Sequence, residues 1–149
     1  NRLKAGERVA YISDAGMPGL NDPGELLLAA AREAGFKTQI IGGVSALTYF
    51  IAGLGRDLPS FRFIGFLPPR RKDREALFQN EIAEPTIFME STHRIESTLE
   101  ILKTLKPQSE IILAKELSKI SENFYSGYPE AVLKKISSFK GEWMGCFLC

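Results

Sequence analysis

Short apolar runs, five or six residues long, alternate with amphipathic stretches along most of this chain, and Gly-containing turns separate them. Such alternation leaves few folds open, because strands linked through helices pair in parallel with right-handed crossovers. Residues 8–12 follow Gly6, a typical residue after a helix end, and read as a buried parallel strand. A loop at 13–19 comes next. Asp22 then reads as an N-cap and Pro23 as the first residue of a helix reaching about Gly35, with Leu26, Leu27, Ala30, Ala31 and Ala34 on one face. Residues 36–41 read as the next strand, Gly42-Gly43 as the turn, and Ser45 as the cap of an apolar helix through Leu54. Residues 55–60, with Pro59, form the best linker. Beyond it the pattern restarts: strands at 61–66, 86–89, 111–114 and 142–148, and helices at 71–83, 93–105 and 129–136. In the helix at 93–105, Ile95, Leu99, Leu102 and Leu105 share a side. The fold class is therefore α/β, with a remainder of a first α/β domain at 1–58 and a more complete α/β domain at 59–149.

Composition excludes several classes of protein. Among 149 residues, 19 Lys and Arg face 18 Asp and Glu, so a net charge of +1 rules out the broad basic field of a DNA-coating protein. A local basic patch remains open. No apolar run approaches the roughly 18 residues of a membrane span, and no apolar segment of a secretory signal follows the start. Cys146 and Cys149 have a Cys-x-x-Cys spacing, but they sit in an apolar stretch with no second ligand pair, so they read as small core hydrophobes. One His and a terminal Cys pair make no zinc set, and no metal is expected.

In open α/β sheets, ligands bind beyond the carboxyl ends of strands, which gives three loops the most weight. Ser13-Asp14-Ala15-Gly16-Met17-Pro18-Gly19 lets backbone approach a ligand closely and carries one acid with no Lys or Arg. It contains neither a dinucleotide fingerprint nor a phosphate-binding Lys motif, so it favours a ligand with hydroxyl, amine or cationic groups. The plain alternative is that Asp14 and Gly16 shape a tight turn. Gly42-Gly43-Val44-Ser45 brings backbone to a helix start. Glu90-Ser91-Thr92-His93-Arg94 gathers an acid, the sole His and an Arg, but neighbours two apart make no hydrolase triad. Arg70, Arg71, Lys72 and Arg74 crowd a loop entering a helix, where they either meet phosphates or form a solvated helix start.

Six ordered segments make the sequence resemble the tetrapyrrole methylase superfamily, and more closely its ribosomal branch, the small subunit rRNA methyltransferase I family. They are Tyr-Ile-Ser-Asp-Ala-Gly-Met-Pro-Gly-Leu-Asn-Asp-Pro-Gly at 11–24, Ile-Gly-Gly-Val-Ser-Ala-Leu at 41–47 and Phe-Ile-Gly-Phe-Leu-Pro at 63–68. Met-Glu-Ser-Thr-His-Arg-Ile at 89–95, Ala-Lys-Glu-Leu-Ser-Lys at 114–119 and Lys-Gly-Glu-Trp at 140–143 complete the set. The family's first strands and N-terminal Gly-rich loop have no counterpart, so the chain reads as the C-terminal part of a longer protein with its first domain truncated.

The resemblance implies a cytoplasmic, homodimeric enzyme that uses S-adenosyl-L-methionine to methylate the ribose 2′-hydroxyl of a cytidine in 16S rRNA. It implies cofactor contacts at Ser13, Asp14, Ala15, Gly16, Met17, Pro18, Val44, Ser45 and Ala46, and at Met89, Ala114 and Lys115. Lys115, Glu116, Glu90 and His93 are the candidates for orienting or deprotonating the hydroxyl. Arg70, Arg71, Lys72, Arg74 and Arg94 are the candidates for contact with 16S rRNA or the small ribosomal subunit. Two rival readings stand beside this one: a small-molecule tetrapyrrole methylase, and a non-catalytic RNA-binding or assembly module retaining the fold.

Overall fold

A computed structural model describes residues 2–13, 16–80 and 82–148. The chain divides into two compact units, Asn1–Thr48 and Tyr49–Cys149. The division falls inside a helix and upstream of the Gly55 linker. Phe50 is the reason: it is fully buried and stacks on Phe124, with ring centroids 6.2 Å apart.

The first unit holds a short 3-10 turn, Leu3–Ala5, and helix α1, Glu25–Glu33. Helix α2, Ala46–Gly53, begins in this unit. Gly6 follows the first turn at φ 79°, as a residue after a helix end should. The runs at 8–12 and 36–41 are not strands, contrary to the sequence reading, and Ile12 and Ile41 are each more than 80% exposed. A strand exists only through neighbours that complete its ladder, and two short runs alone do not sustain one. Asp22 is likewise not the cap of α1. The helix starts later, after Gly24 at φ 143°, whose missing Cβ would lie 3.0 Å from the Tyr11 ring.

The second unit contains one five-stranded sheet. Its strands are β1 (Arg62–Phe66), β2 (Thr86–Glu90), β3 (Ile111–Lys115), β4 (Asn123–Gly127) and β5 (Trp143–Phe147), in the spatial order β1-β2-β5-β3-β4. Helices α3 (Arg71–Gln79), α4 (Ile95–Leu105) and α5 (Pro129–Lys135) connect them. β1 pairs parallel with β2, whereas β5 enters between β2 and β3 antiparallel to both. The sheet is thus mixed rather than wholly parallel. An apolar run shows that a strand is buried but carries no sign of its direction. β4, antiparallel to β3 at the edge, escaped the sequence reading because most of its residues are exposed and it has no continuous apolar run.

Burial explains the strands that were legible. All five residues of β5 and four of five in β3 are buried, as central strands require. Gly145 sits where β5 passes under the Phe88 ring and Leu113; a Cβ there would meet Leu113 Cδ2 at 2.6 Å. Phe147 stacks on Phe88 at 4.7 Å and meets Phe78 edge-on at 5.0 Å. α4 adds Ile95, Leu99, Ile101 and Leu102 to the same core, on the face its periodicity marks. Each fully buried aliphatic chain of this size contributes about 1.5–3 kcal/mol. Cys146 is buried in β5, as the core reading requires, and Cys149 lies outside the described residues.

Because β1, β2 and β3 point the same way, their carboxyl ends share one edge with the start of β5. Trp143 is the register partner of both Glu90 and Lys115. The loops after β2 and β3 and the loop before β5 therefore meet by topology.

Candidate functional site

The loop before β5 ties this edge together. The carbonyl oxygen of Phe139 accepts hydrogen bonds from Thr92 Oγ1 and Trp143 Nε1, both at 2.9 Å. Thr92 Oγ1 in turn accepts from Gly141 N at 3.0 Å. Lys115 Nζ donates to Ser138 O at 2.7 Å and lies 5.6 Å from the Trp143 ring centroid. A Cβ on Gly141, which sits at φ 131°, would stand 2.9 Å from Glu116 Cγ and 3.0 Å from Lys115 Cε, so a side chain there would displace both. Of this loop, sequence reasoning marked only the Lys-Gly-Glu-Trp segment, and it assigned no role to Thr92, Ser138 or Phe139.

Glu116 occupies a left-handed conformation, φ 54°, uncommon for a residue with a Cβ. Two bonds to Glu142 support it. Glu116 N donates to Glu142 O at 2.9 Å, and Glu142 N donates to Glu116 Oε1 at 2.7 Å. The backbone N–H of Glu142, then the ammonium of Lys119, hold the Glu116 carboxyl below the usual glutamate range. Lys119 is raised in return, first by its bond to Glu142 at 2.8 Å and then by its bond to Glu116 at 3.2 Å. An engaged carboxylate with a lowered pKa is a weak proton acceptor.

Glu90 is also engaged, and more deeply. It is 1% exposed. Its Oε1 accepts from Ser91 N at 2.8 Å and from Arg94 Nε and Nη2 at 2.8 and 2.7 Å, and its Oε2 accepts from Thr98 Oγ1 at 2.9 Å. Its oxygens brace the entry to α4 and face no solvent, an environment that does not favour a proton acceptor. Arg94 keeps 29% of its side chain exposed beside that carboxylate. His93 is exposed and makes no hydrogen bond among the described residues.

The basic loop divides in the same way. Arg70, Arg71 and Lys72 are exposed, and Arg71 pairs with Glu75 at 2.8 Å. Arg74 is 3% exposed and donates to the carbonyl oxygens of Pro68 and Pro69. Unlike its three basic neighbours, Arg74 thus directs its guanidinium into the protein.

Of the cofactor candidates in this unit, Met89 and Lys115 are half-buried at strand ends. Ala114 is fully buried, with ladders to β4 and β5 on its two sides, and presents no surface to a ligand. The first unit brings two candidate stretches together by itself. Ser13 Oγ donates to Gly16 O at 3.0 Å, Gly16 has φ 73°, and a Cβ on Gly16 would lie 3.8 Å from Val44 O. A Cβ on Gly43 would lie 3.6 Å from Met17 Sδ. Pro18 is half-buried and Val44 exposed, while Ser45 directly precedes Ala46, the first residue of α2. Asp14 and Ala15 lie outside the described residues.

A cavity of about 200 Å³ opens at the opposite edge of the sheet, lined by Arg62, Leu77, Asn80, Glu84 and Thr86. It shares no residue with the loops above. Among the described residues, no cluster of His, Cys, Asp and Glu could hold a metal ion, and no helix is long and apolar enough to cross a membrane.

Comparison with known proteins gives this arrangement a context. The family described as Tetrapyrrole (Corrin/Porphyrin) Methylases matches residues 1–130. The Ribosomal RNA small subunit methyltransferase I of Leptospira biflexa is 35% identical over 146 residues, covering 96% of this chain and 61% of that protein. Its namesake in Neisseria meningitidis serogroup B is 39% identical over 127 residues, covering 84% of this chain and 44% of that protein. The chain thus spans between 44 and 61% of these relatives' length. Among solved structures, the methyltransferase CobJ superposes with a TM-score of 0.63 at 18% identity, covering 99% of this chain and 66% of CobJ. Uroporphyrin-III C-methyl transferase from Thermus thermophilus, complexed with S-adenyl homocysteine, gives 0.55 at 16% identity over 88% of this chain and 62% of that one. At such identities these structures show the shared fold alone.

Proposed function

Since the chain belongs to the tetrapyrrole methylase family, we propose that it is part of an S-adenosyl-L-methionine-dependent methyltransferase that modifies the ribose 2′-hydroxyl of a cytidine in 16S rRNA. The observation that carries this reading is the level of identity to proteins named as ribosomal RNA methyltransferases, 35 and 39%. The methyltransferase CobJ and the Thermus thermophilus uroporphyrin-III C-methyl transferase are 18 and 16% identical. The protein works in the cytoplasm, where the small ribosomal subunit is found, and forms a homodimer.

The residues present suit the cofactor. S-adenosyl-L-methionine carries a sulfonium and an amine and no phosphate, and the loop from Ser13 to Gly19 contains glycine-rich backbone without a single Lys or Arg. Gly16 keeps that backbone open at a conformation side chains rarely adopt. Ser13, Gly16, Met17, Pro18, Val44, Ser45 and Ala46 hold the cofactor in the first unit, the sequence neighbours Asp14 and Ala15 completing the stretch. When bound, the cofactor supplies an electrophilic methyl group.

Methyl transfer needs the ribose oxygen in line with that carbon, and it needs the hydroxyl proton removed. Glu90 and Glu116 are held by other groups, and Lys115 is bonded to Ser138. His93 is left as the exposed, unengaged group that takes the proton, while Lys115 and Glu116 fix the shape of the edge beside it. Arg70, Lys72 and Arg94 meet the RNA phosphates.

The test is methyl transfer from labelled cofactor to 16S rRNA and to small subunits. The product nucleotide should be a cytidine whose 3′ linkage resists alkaline cleavage, as a blocked 2′-hydroxyl requires. Label on a base, or on no RNA at all, would overturn the assignment.

A further inference from the structure

Arg74 is an unusual buried residue. It lies in the first turn of the charged helix α3, yet it is 3% exposed. Its Nη1 donates to Pro68 O at 3.0 Å and Pro69 O at 2.9 Å, and its Nη2 donates to Ser97 Oγ on α4 at 3.3 Å. Its Nε has no partner among the described residues. Among the described residues no carboxylate pairs with it: Glu75 pairs with Arg71, Glu90 pairs with Arg94, and the adjacent Asp73 is exposed.

With no carboxylate partner among the described residues, the buried guanidinium gains little stability, because carbonyl bonds offset only part of its desolvation. What the arrangement accomplishes is geometric. Pro68 and Pro69 have no N–H, so they make no donor bond that would anchor their turn, and their fixed φ leaves only the carbonyl side to hold. Arg74 grips both carbonyls and bolts them to α4. Arg70, Arg71 and Lys72 follow at once, all exposed.

We propose that Arg74 is a positioning residue for RNA: by clamping the Pro68-Pro69 turn onto Ser97, it holds the start of α3, and with it Arg70 and Lys72, in place to meet backbone phosphates without itself touching the nucleic acid. This rests on the rRNA reading given above. Pre-set cations lose less entropy on binding than cations on a free loop, so the clamp acts on affinity for RNA and leaves cofactor binding alone.

The experiment uses the full chain that carries residues 1–149, with 16S rRNA as probe across a range of KCl concentrations. Four forms are compared: the unaltered protein, Arg74→Met, the triple variant Arg70→Ala/Arg71→Ala/Lys72→Ala, and their combination. Arg74→Met should weaken RNA binding about tenfold and leave the salt slope unchanged, because it removes no phosphate contact; a slope flattened by about one counterion would mean that Arg74 itself meets a phosphate and would overturn the clamp. Cofactor affinity should stay level. Added to the triple variant, Arg74→Met should change nothing more, since a clamp with no cations to place has no effect.

Equal RNA affinity for Arg74→Met and the unaltered protein, beside a weakened triple variant, would overturn the clamp alone. So would a further loss of the same size on the triple background. Full RNA affinity in the triple variant would instead remove the RNA reading of this loop, and the clamp with it. If Arg74→Met fails to fold, Ser97→Ala removes the α4 anchor only. It should then weaken binding about threefold and do so only while the three cations are present; unchanged binding overturns the proposal.

Discussion

Glu90 Oε1 and Arg94 Nη2 lie 2.7 Å apart across the junction of β2 and α4, with the carboxylate fully buried and the guanidinium partly in water. Glu90 is thereby committed to structure, with Thr98 Oγ1 and Ser91 N completing its shell. Glu90→Gln keeps the shape but removes the charge and one acceptor. It should cost about 2 kcal/mol in urea unfolding, less than for a fully buried pair because Arg94 can turn to solvent. Thr98→Val should cost about 1 kcal/mol. Loss of methyl transfer from Glu90→Gln with stability intact would return Glu90 to the list of proton acceptors.

His93→Ala should lower kcat about 100-fold while cofactor affinity changes by less than about twofold. Single-turnover methylation and calorimetric cofactor titration on the same protein measure the two quantities. A variant with unaltered kcat would leave His93 as an ordinary surface residue.

The Glu116 cluster should make stability depend on pH at both ends. The Glu116 value is lowered when folded, so its contribution is complete above the ordinary 4.5 and fades as pH falls through the lowered value. Lys119 is raised, so its contribution is complete below 10.5 and fades as pH rises through the raised value. Melting temperature against pH should therefore show a shallower acid limb in Glu116→Gln and a shallower alkaline limb in Lys119→Met. Both effects are modest, since Lys119 is half exposed and solvent screens the pair.

Gly145→Ala should destabilise the second unit by about 1–3 kcal/mol, because the added methyl drives the Phe88 ring and Leu113 off their positions under β5. Urea unfolding followed by Trp143 fluorescence reads this directly, since Trp143 heads the same strand. An unshifted midpoint would mean that this part of the core yields more readily than its packing suggests.

Some of this protein is written in its sequence. The spacing of Ile95, Leu99 and Leu102 marks the buried side of α4, because a helix repeats every 3.6 residues whatever lies beside it. The apolar runs of β2, β3 and β5 mark buried strands for a similar reason. The loops at 13–19, 42–45 and 90–94 could be singled out because ligand sites follow strand ends, and the segment at 114–119 through the family resemblance. Of the three loops, only that at 90–94 follows a strand that the structure forms. Partnership is what a linear pattern does not carry. The direction of β5 and the existence of β4 depend on which edges are free to pair, and the runs at 8–12 and 36–41 show that apolar residues without a neighbouring ladder make no strand. The same holds for charge. Arg74 and Lys72 look alike in a basic stretch, and Glu90 and Glu116 look alike at strand ends. Tertiary packing buried Arg74 under two proline carbonyls and Glu90 under Arg94 and Thr98, and it left Lys72 and His93 facing water. A charged group's role follows from the atoms that surround it, and those atoms come from distant parts of the chain.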